Sequence, residues 1–558
     1  MKNIVCLTIG RSIIDHNTHI NKSESRGRWR SMVRGRVAFV TTLLVGLILL
    51  LLPATGARAD TFVVDKVEDS SGPNYYCTNT AYKGNCSLRI AITAASVKSK
   101  WGQTNIIVLP AGDYTLNNTL YITGDGDITG NVAPYEREKG PIIIIRGMGA
   151  MNTIIHGACG VGASKKSLSG AAFQSVDYDA EYETCDIKPK ADGSVGFPTI
   201  VVKRAALQLE NVTIRDGLQI IPGCGNGKCY ATLTNFFGDL KLFLSSVVHN
   251  RGILAGGILN MGGSLYVQDS TISQNYGSGE YGSGGVGGVS TIVNGVTDIQ
   301  YSTINHNFGR FGGGVHNENG VNGGMTGITN STISNNKTTS GAGGVFGKQF
   351  VDCTACHRVS DRGFRDTWLN HVTIVENRVH SPLLSSSVAG GVSGEHVYLT
   401  NSIVARNRQN SFSGSGAYVS SPSDCSGRIL SVGGNVVGTT SCSIDLVQPL
   451  PSPPAKWSGT TCKMRSIDQV VCEIDPFKNA DLKGQDPGLG PLADNGGNSC
   501  THALQGGPAV NHGWTGATGG FATPTYDQRW VPRNNYADSG AFAITGRAGQ
   551  VGVNCTPN

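Results

Sequence analysis

The sequence returns to one asparagine at nearly regular intervals. "SSVVHN" ends at Asn250, "STISQN" at Asn275, "STINHN" at Asn307, "STISNN" at Asn336, "VTIVEN" at Asn377 and "SIVARN" at Asn407, in steps of 25, 32, 29, 41 and 30 residues. Paired glycines recur between most of them, at Gly256-Gly257, Gly287-Gly288, Gly313-Gly314, Gly343-Gly344 and Gly390-Gly391, each followed by Ile or Val. A period of about 30 residues is that of a solenoid coil. Within each unit short β-branched runs alternate with Gly/Asn turns, and no window here holds a helical period, so short strands are predicted.

One such unit cannot bury its apolar face alone. Neighbours must stack, with strands about 4.8 Å apart along the axis. Val247, Ile272, Ile304, Ile333, Ile374 and Val404 then form one interior column. Ser245, Ser270, Ser302, Ser331 and Ser402 form a second, and the asparagines a third. Stacked asparagines at solenoid turns bond one another and the backbone, so this column is read as structural rather than as a ligand site. The paired glycines are read as turns needing positive φ, and without a following helix and lysine they are no phosphate loop. Seventy-seven glycines and 15% charged residues suit one elongated repetitive body.

Arg34 and Arg36 precede an apolar run over residues 37–52, followed by Pro53 and Ala57-Arg58-Ala59. This is the pattern of a secretory signal peptide with an extended n-region, cleaved near Ala59; a short membrane anchor is the alternative. The mature chain then has no transmembrane segment and is secreted or displayed at the cell surface. Residues 1–59 carry nine Lys/Arg against two acids, a surplus of seven that exceeds the whole chain's +6 and leaves residues 60–558 near −1. Neither nucleic acid nor an anionic membrane is therefore implied as partner. Of 15 cysteines only Cys6 precedes the cleavage site, leaving an even 14 in an oxidising compartment. Because residues of a solenoid contact only their own or adjacent coils, mostly local bridges are predicted: Cys77–Cys86, Cys159–Cys185, Cys224–Cys229, Cys425–Cys442 and Cys462–Cys472, with Cys500–Cys555 the long-range exception.

The ends carry a resemblance. "CSLRIAITAAS" from Cys86 with "IIVLPAGDYTL" from Ile106 resembles the CSLREA-type N-terminal motif of bacterial pectin-lyase-like, right-handed β-helix proteins, with Ile90 where that motif has glutamate. Leu88, Ala91, Ile92 and Ala95 put an apolar stripe on a short helix suited to covering the first coil. "DPGLGPLADNGGNSCTHALQGGPAVNHG" from Asp486, "DQRWVPR" from Asp527 and "DSGAF" from Asp538 resemble the choice-of-anchor Q domain, with Asn511 and Trp530 where aspartate and glycine are usual. The expected fold is all-β: a right-handed parallel β-helix over residues 60–445, with an N-terminal cap at 60–130 and repeats from about 206. A Cys-containing connection at 446–480 and a β-rich C-terminal module at 481–558 follow. The resemblance implies architecture, not a reaction, since this fold hosts lyases, hydrolases, adhesins and structural proteins.

A glycoside hydrolase needs two carboxylates about 5 to 9.5 Å apart, which in a solenoid means acids at matching positions of nearby coils. The position before the asparagine holds His249, Gln274, His306, Asn335, Glu376 and Arg406, only one of them acidic. No column supplies the carboxylate cluster of a Ca²⁺-dependent lyase, and Asp125 and Asp127 read as a solvated turn. The position after the asparagine holds Arg251, Tyr276, Phe308, Lys337, Arg378 and Arg408. Such a ridge could stack on sugars or hold an acidic polymer, or its side chains could merely cover neighbouring turns. Cys353, Cys356 and His357 have the C-x-x-C-H form of haem c attachment and sit in the longest repeat. An insert of about 11 residues is too short for a haem pocket. The sixth ligand would have to be His371 or His380, and a loop disulfide is preferred. Zinc would lack a fourth ligand. The expectation is a surface protein with an adhesive, scaffolding or polysaccharide-binding role, with no cofactor. A polysaccharide lyase or hydrolase is the first alternative and a haem c redox protein the second.

Overall fold

The structure, a computed structural model, describes residues 59–544 and Cys555, apart from 78–82, 99–103, 125–141, 160–164, 168–182, 186–194, 221–230, 280–284, 320–324, 350–365, 381–387, 413–417, 447–462, 467–468, 472–480, 514–522 and 534–536. Because the apolar runs are three to six residues long and interrupted by polar turns, each turn of the chain makes four short strands. One full coil runs through Ile258–Met261, Ser264–Gln268, Thr271–Ser273 and Tyr276–Gly277. The first two strands of successive coils join one long sheet, the third a second sheet and the fourth a third; among the described residues these hold 19, 11 and 9 strands. Coil pairs with coil in parallel and in register, as in Ser264↔Val296↔Met325. The chain is a parallel β-helix. Its axis is lined by the expected column Val247, Ile272, Ile304, Ile333, Ile374 and Val404, each fully buried.

The asparagine corners are polar and hydrogen-bonded from coil to coil. Asn275 Nδ2 donates to Asn307 Oδ1 at 2.9 Å, Asn307 to Asn336 at 3.0 Å, Asn336 to Asn377 at 2.9 Å and Asn377 to Asn407 at 3.0 Å. Each of these oxygens also accepts the preceding asparagine's backbone N–H. The ladder ends on Asp424, whose Oδ1 accepts Asn407 N and Nδ2 at 2.9 Å each; burial pushes this carboxyl up to about 6. The serine column does the same for backbone amides, with Ser245 N donating to Ser270 Oγ and Ser270 N to Ser302 Oγ.

The paired glycines correct the expectation made for them. None has positive φ; the left-handed corner falls instead on His249, Gln274, His306, Asn335, Glu376 and Arg406, at φ of 53 to 60°. What glycine provides is closeness. A Cβ on Gly257, Gly288, Gly314 or Gly344 would lie 2.4 to 2.6 Å from a carbonyl oxygen of the next coil. These contacts stack up the whole repeat, so the coil spacing there admits no side chain.

The N-terminal end of the helix is covered by a short α-helix. Helix α1 (Leu88–Lys98) lays Leu88, Ala91, Ile92 and Ala95, all buried, over the first coil. Ser87 caps it through Oγ, which accepts Ile90 N at 3.3 Å. The nine-stranded sheet is closed at each end by an antiparallel strand, Val195–Phe197 and Tyr418–Pro422, which leaves no parallel edge there to recruit another chain. The eleven-stranded sheet continues past residue 445 to Leu482–Lys483.

The C-terminal segment then turns back along the outside of this sheet. Gln528 is its key: Nε2 donates to Ser302 O at 3.1 Å and Thr303 Oγ1 at 2.9 Å, while Oε1 accepts Thr332 Oγ1 at 2.7 Å. His502 meets Ser334 at 2.8 Å, Arg533 donates to Asn330 at 2.9 Å, and Ser539 donates to Gly434 O at 2.6 Å. Asp527 holds the turn by accepting Arg529 N and Val531 N and by pairing with the buried Arg529 at 2.6 Å. Disulfides Cys77–Cys86, Cys425–Cys442 and Cys500–Cys555 are formed as expected, and Cys159 is also bridged. Cys224–Cys229, Cys462–Cys472, Asp125, Asp127 and the Cys353, Cys356, His357 motif lie outside the described residues.

Candidate functional site

The position after each asparagine opens the fourth strand of its coil, so register alone brings the six ridge residues together. Arg251, Tyr276, Phe308, Lys337, Arg378 and Arg408 are successive partners across the nine-stranded sheet. The two halves of this ridge differ. Tyr276 and Phe308 are buried, stacked on one another at 5.3 Å, and the Arg251 guanidinium lies 5.0 Å from the Tyr276 ring centre. This half covers neighbouring turns and offers no open ring face. In the other half Lys337 is half-buried while Arg378 and Arg408 are exposed. Three cations therefore stand on adjacent strands, about 4.8 Å apart. Among the described residues no carboxylate pairs with Arg378 or Arg408.

A second charged cluster escaped the sequence reading. Asp113, His156 and Asp216 lie on three successive coils of the eleven-stranded sheet, with His156 Nδ1 2.8 Å from Asp216 Oδ2 and Nε2 3.0 Å from Asp113 Oδ1. Arg215 Nε is 3.0 Å from the same Asp216 oxygen. Burial works against the imidazolium, but the hydrogen bonds from Asp216 and Asp113 outweigh it and hold His156 above its ordinary pKa. Burial likewise opposes the Asp216 carboxylate, and His156 and Arg215 overcome it and hold that pKa low. The imidazole fills the space between the two acids that a hydrolase leaves for sugar and water. The cluster is thus a staple across three coils. Part of its sequence signal was present: "TIRDG" at Thr213 extends the repeat upstream of Asn250 with Gly217 in place of asparagine, whereas "TIIHG" at Thr153 is shifted by one residue, His156 pairing with Arg215.

Several other carboxylates on the outer faces are paired or buried. Glu210 is bound to Arg146, Asp486 to Arg406 and Asp445 to Arg428. Asp298 and Asp366, on the outer face of the long sheet, are pushed by burial up to about 6 and about 7. Asp298 accepts Gln300 Nε2 at 2.8 Å, and Asp366 lies beside Trp368, which stacks on Tyr398 at 4.2 Å. No group of three or more His, Cys, Asp or Glu poised to hold a metal ion occurs among the described residues. His371, one histidine considered for haem, is fully buried at a corner and bonded to Asn370 at 2.8 Å; burial keeps it neutral.

No protein-family model matches the chain, and no curated protein is similar to it in sequence. Several solved structures are similar in shape. Pectate lyase Pel9A is 11% identical, with 88% of this chain and 98% of that one covered and a TM-score of 0.44. Pectin methylesterase PemA from Erwinia chrysanthemi is 13% identical, with 70% and 94% covered and a TM-score of 0.33. A pectin methylesterase in complex with hexasaccharide VII is 13% identical, with 69% and 93% covered and a TM-score of 0.33. At these values the likeness says nothing of this chain's chemistry.

Proposed function

We propose that this protein is an exported, surface-acting β-helix that holds an acidic polysaccharide along Lys337, Arg378 and Arg408 without transforming it. The observation that carries this reading is the run of in-register cations, two of them exposed and, among the described residues, without a carboxylate partner. Like charges one strand apart repel by about 0.9 kcal/mol per neighbouring pair in water. A polyanion laid along the axis removes that repulsion and gains the attraction. Three disulfides support a life outside the reducing cytosol, and residues 37–59 supply the export signal. The capping helix and the Asp527 turn support the resemblance of the two ends to CSLREA-type and choice-of-anchor Q proteins.

Binding is tested by affinity electrophoresis of the mature protein in gels containing a polyuronate. Wild type is retarded; a variant carrying Arg378→Glu and Arg408→Glu migrates as in a gel without polymer. Equal retardation of the two would remove the ridge from the function. Cys353 and Cys356 are proposed to pair with each other without haem. His371, one of the two histidines that could complete a haem, is fully buried and bonded to Asn370, which supports this. A Soret band in protein exported from a haem-attaching host would contradict it.

A further inference from the structure

Trp530 stands in the left-handed region at φ 64°, a conformation that bulky residues avoid and glycine adopts freely. Its side chain is nonetheless held firmly. The indole stacks on Tyr301 at 4.2 Å with 16° between planes, and Nε1 donates to Asp269 Oδ1 at 2.6 Å. Tyr526 leans toward it at 5.9 Å. Despite these contacts Trp530 is 41% exposed and Tyr526 39%, so both rings keep apolar surface in contact with solvent. A side chain needed only to cover Tyr301 would not leave this much apolar surface in water.

The rim of this platform is polar and ordered. Asp269 Oδ2 accepts Gln268 Nε2 at 2.9 Å, and Tyr266 hydroxyl donates to Gln268 Oε1 at 2.7 Å. Asp269 is itself nearly buried, so its carboxylate is fixed beside the ring. A rigid aromatic face next to a fixed acceptor suits a ligand with an apolar C–H face and hydroxyl donors at its edge, as a pyranose ring has. Arg533, the cation acting on Tyr301, is buried and donates to Asn330 and to the Asp538 and Gly540 carbonyls. A negatively charged sugar would be repelled by the Asp269 carboxylate. We infer that Trp530 and Tyr526, with Asp269, form a second binding site, separate from the cationic ridge, for uncharged glycan rings. A peptide would seek exposed backbone donors and acceptors, which this side-chain platform does not offer.

The test uses the mature protein and calorimetric titration with cellohexaose, xylohexaose and mannohexaose, each an uncharged probe. At least one binds to wild type, and Trp530→Gly, which suits the backbone of the turn, weakens that binding at least tenfold without lowering Tm. Retardation by polyuronate is unchanged in Trp530→Gly, and sugar binding is unchanged in the Arg378→Glu, Arg408→Glu variant. The inference is overturned if none of the three probes binds at millimolar concentration, if Trp530→Gly binds as well as wild type, or if proline-rich peptide binds and the sugars do not.

Discussion

Replacing Asn307 by alanine removes a side chain from the middle of the asparagine ladder, and the structure gives the cost. Asn275 loses the acceptor for its backbone N–H and for one Nδ2 proton, and Ile272 O loses the donor Asn307 Nδ2. Asn336 Oδ1 keeps the Asn307 backbone N–H. Three buried groups each lose a partner at about 1 to 3 kcal/mol, so a loss of about 3 to 9 kcal/mol is expected, concentrated in two coils. In a solenoid such a loss is local, because each coil contacts only its neighbours. Hydrogen-exchange mass spectrometry of the folded protein is therefore the assay. Peptides spanning residues 258–277 and 289–309 should exchange at least about a hundredfold faster, with those near residue 145 unchanged. Unchanged exchange in those peptides, or equal acceleration throughout, would refute a ladder that works by local pairing.

The Asp113–His156–Asp216 staple makes stability depend on pH. His156 has its folded pKa raised above 6.5, so its contribution is complete below 6.5 and is lost as pH rises through the raised value. Asp216 has its folded pKa lowered below 3.8, so its contribution is present above 3.8 and is lost as pH falls through the lowered value. At pH 5.5, His156→Gln should cost about 1.5 to 3 kcal/mol, mostly through Asp216, because the Asp113 side chain is 57% exposed and its pair is screened. The difference in Tm between the two proteins should shrink toward pH 8; a constant difference would sink the linkage. Gly314→Ala places a Cβ 2.6 Å from Gly344 O and should cost about 1 to 3 kcal/mol, read as lower Tm. Gly312→Ala should be neutral, since its nearest neighbour is 3.4 Å away and Ala255 and Ala342 occupy the same column. Equal effects of the two substitutions would remove the close-approach argument.

The columns were legible because a solenoid repeats its contacts with its sequence: Ile272 meets Ile304 as Asn275 meets Asn307. The glycine pairs were legible as a repeat but not in their role. A positive φ and a close approach both select glycine, and only the packing of Gly288 under Gly314 O tells them apart. The left-handed corners were hidden because their side chains point outward and vary freely, from His249 to Arg406. The ridge was legible as a column, while the burial of Tyr276 and Phe308 was not, since periodicity does not report what covers an outer face. The docking of Gln528 on Thr303 spans 225 residues and breaks the repeat, so no local signal encodes it.

The central claim is that an acidic polymer lies along the helix axis across successive coils. Titrating the mature protein calorimetrically with oligouronates of one to six units tests it directly. Three cations span about 9.6 Å, so affinity should climb steeply up to the length that reaches all three and change little beyond it. The climb should flatten at 0.5 M salt, where exposed charges are screened. Equal affinity per molecule for the monomer and the hexamer, or binding indifferent to salt, would contradict a polymer held along the ridge.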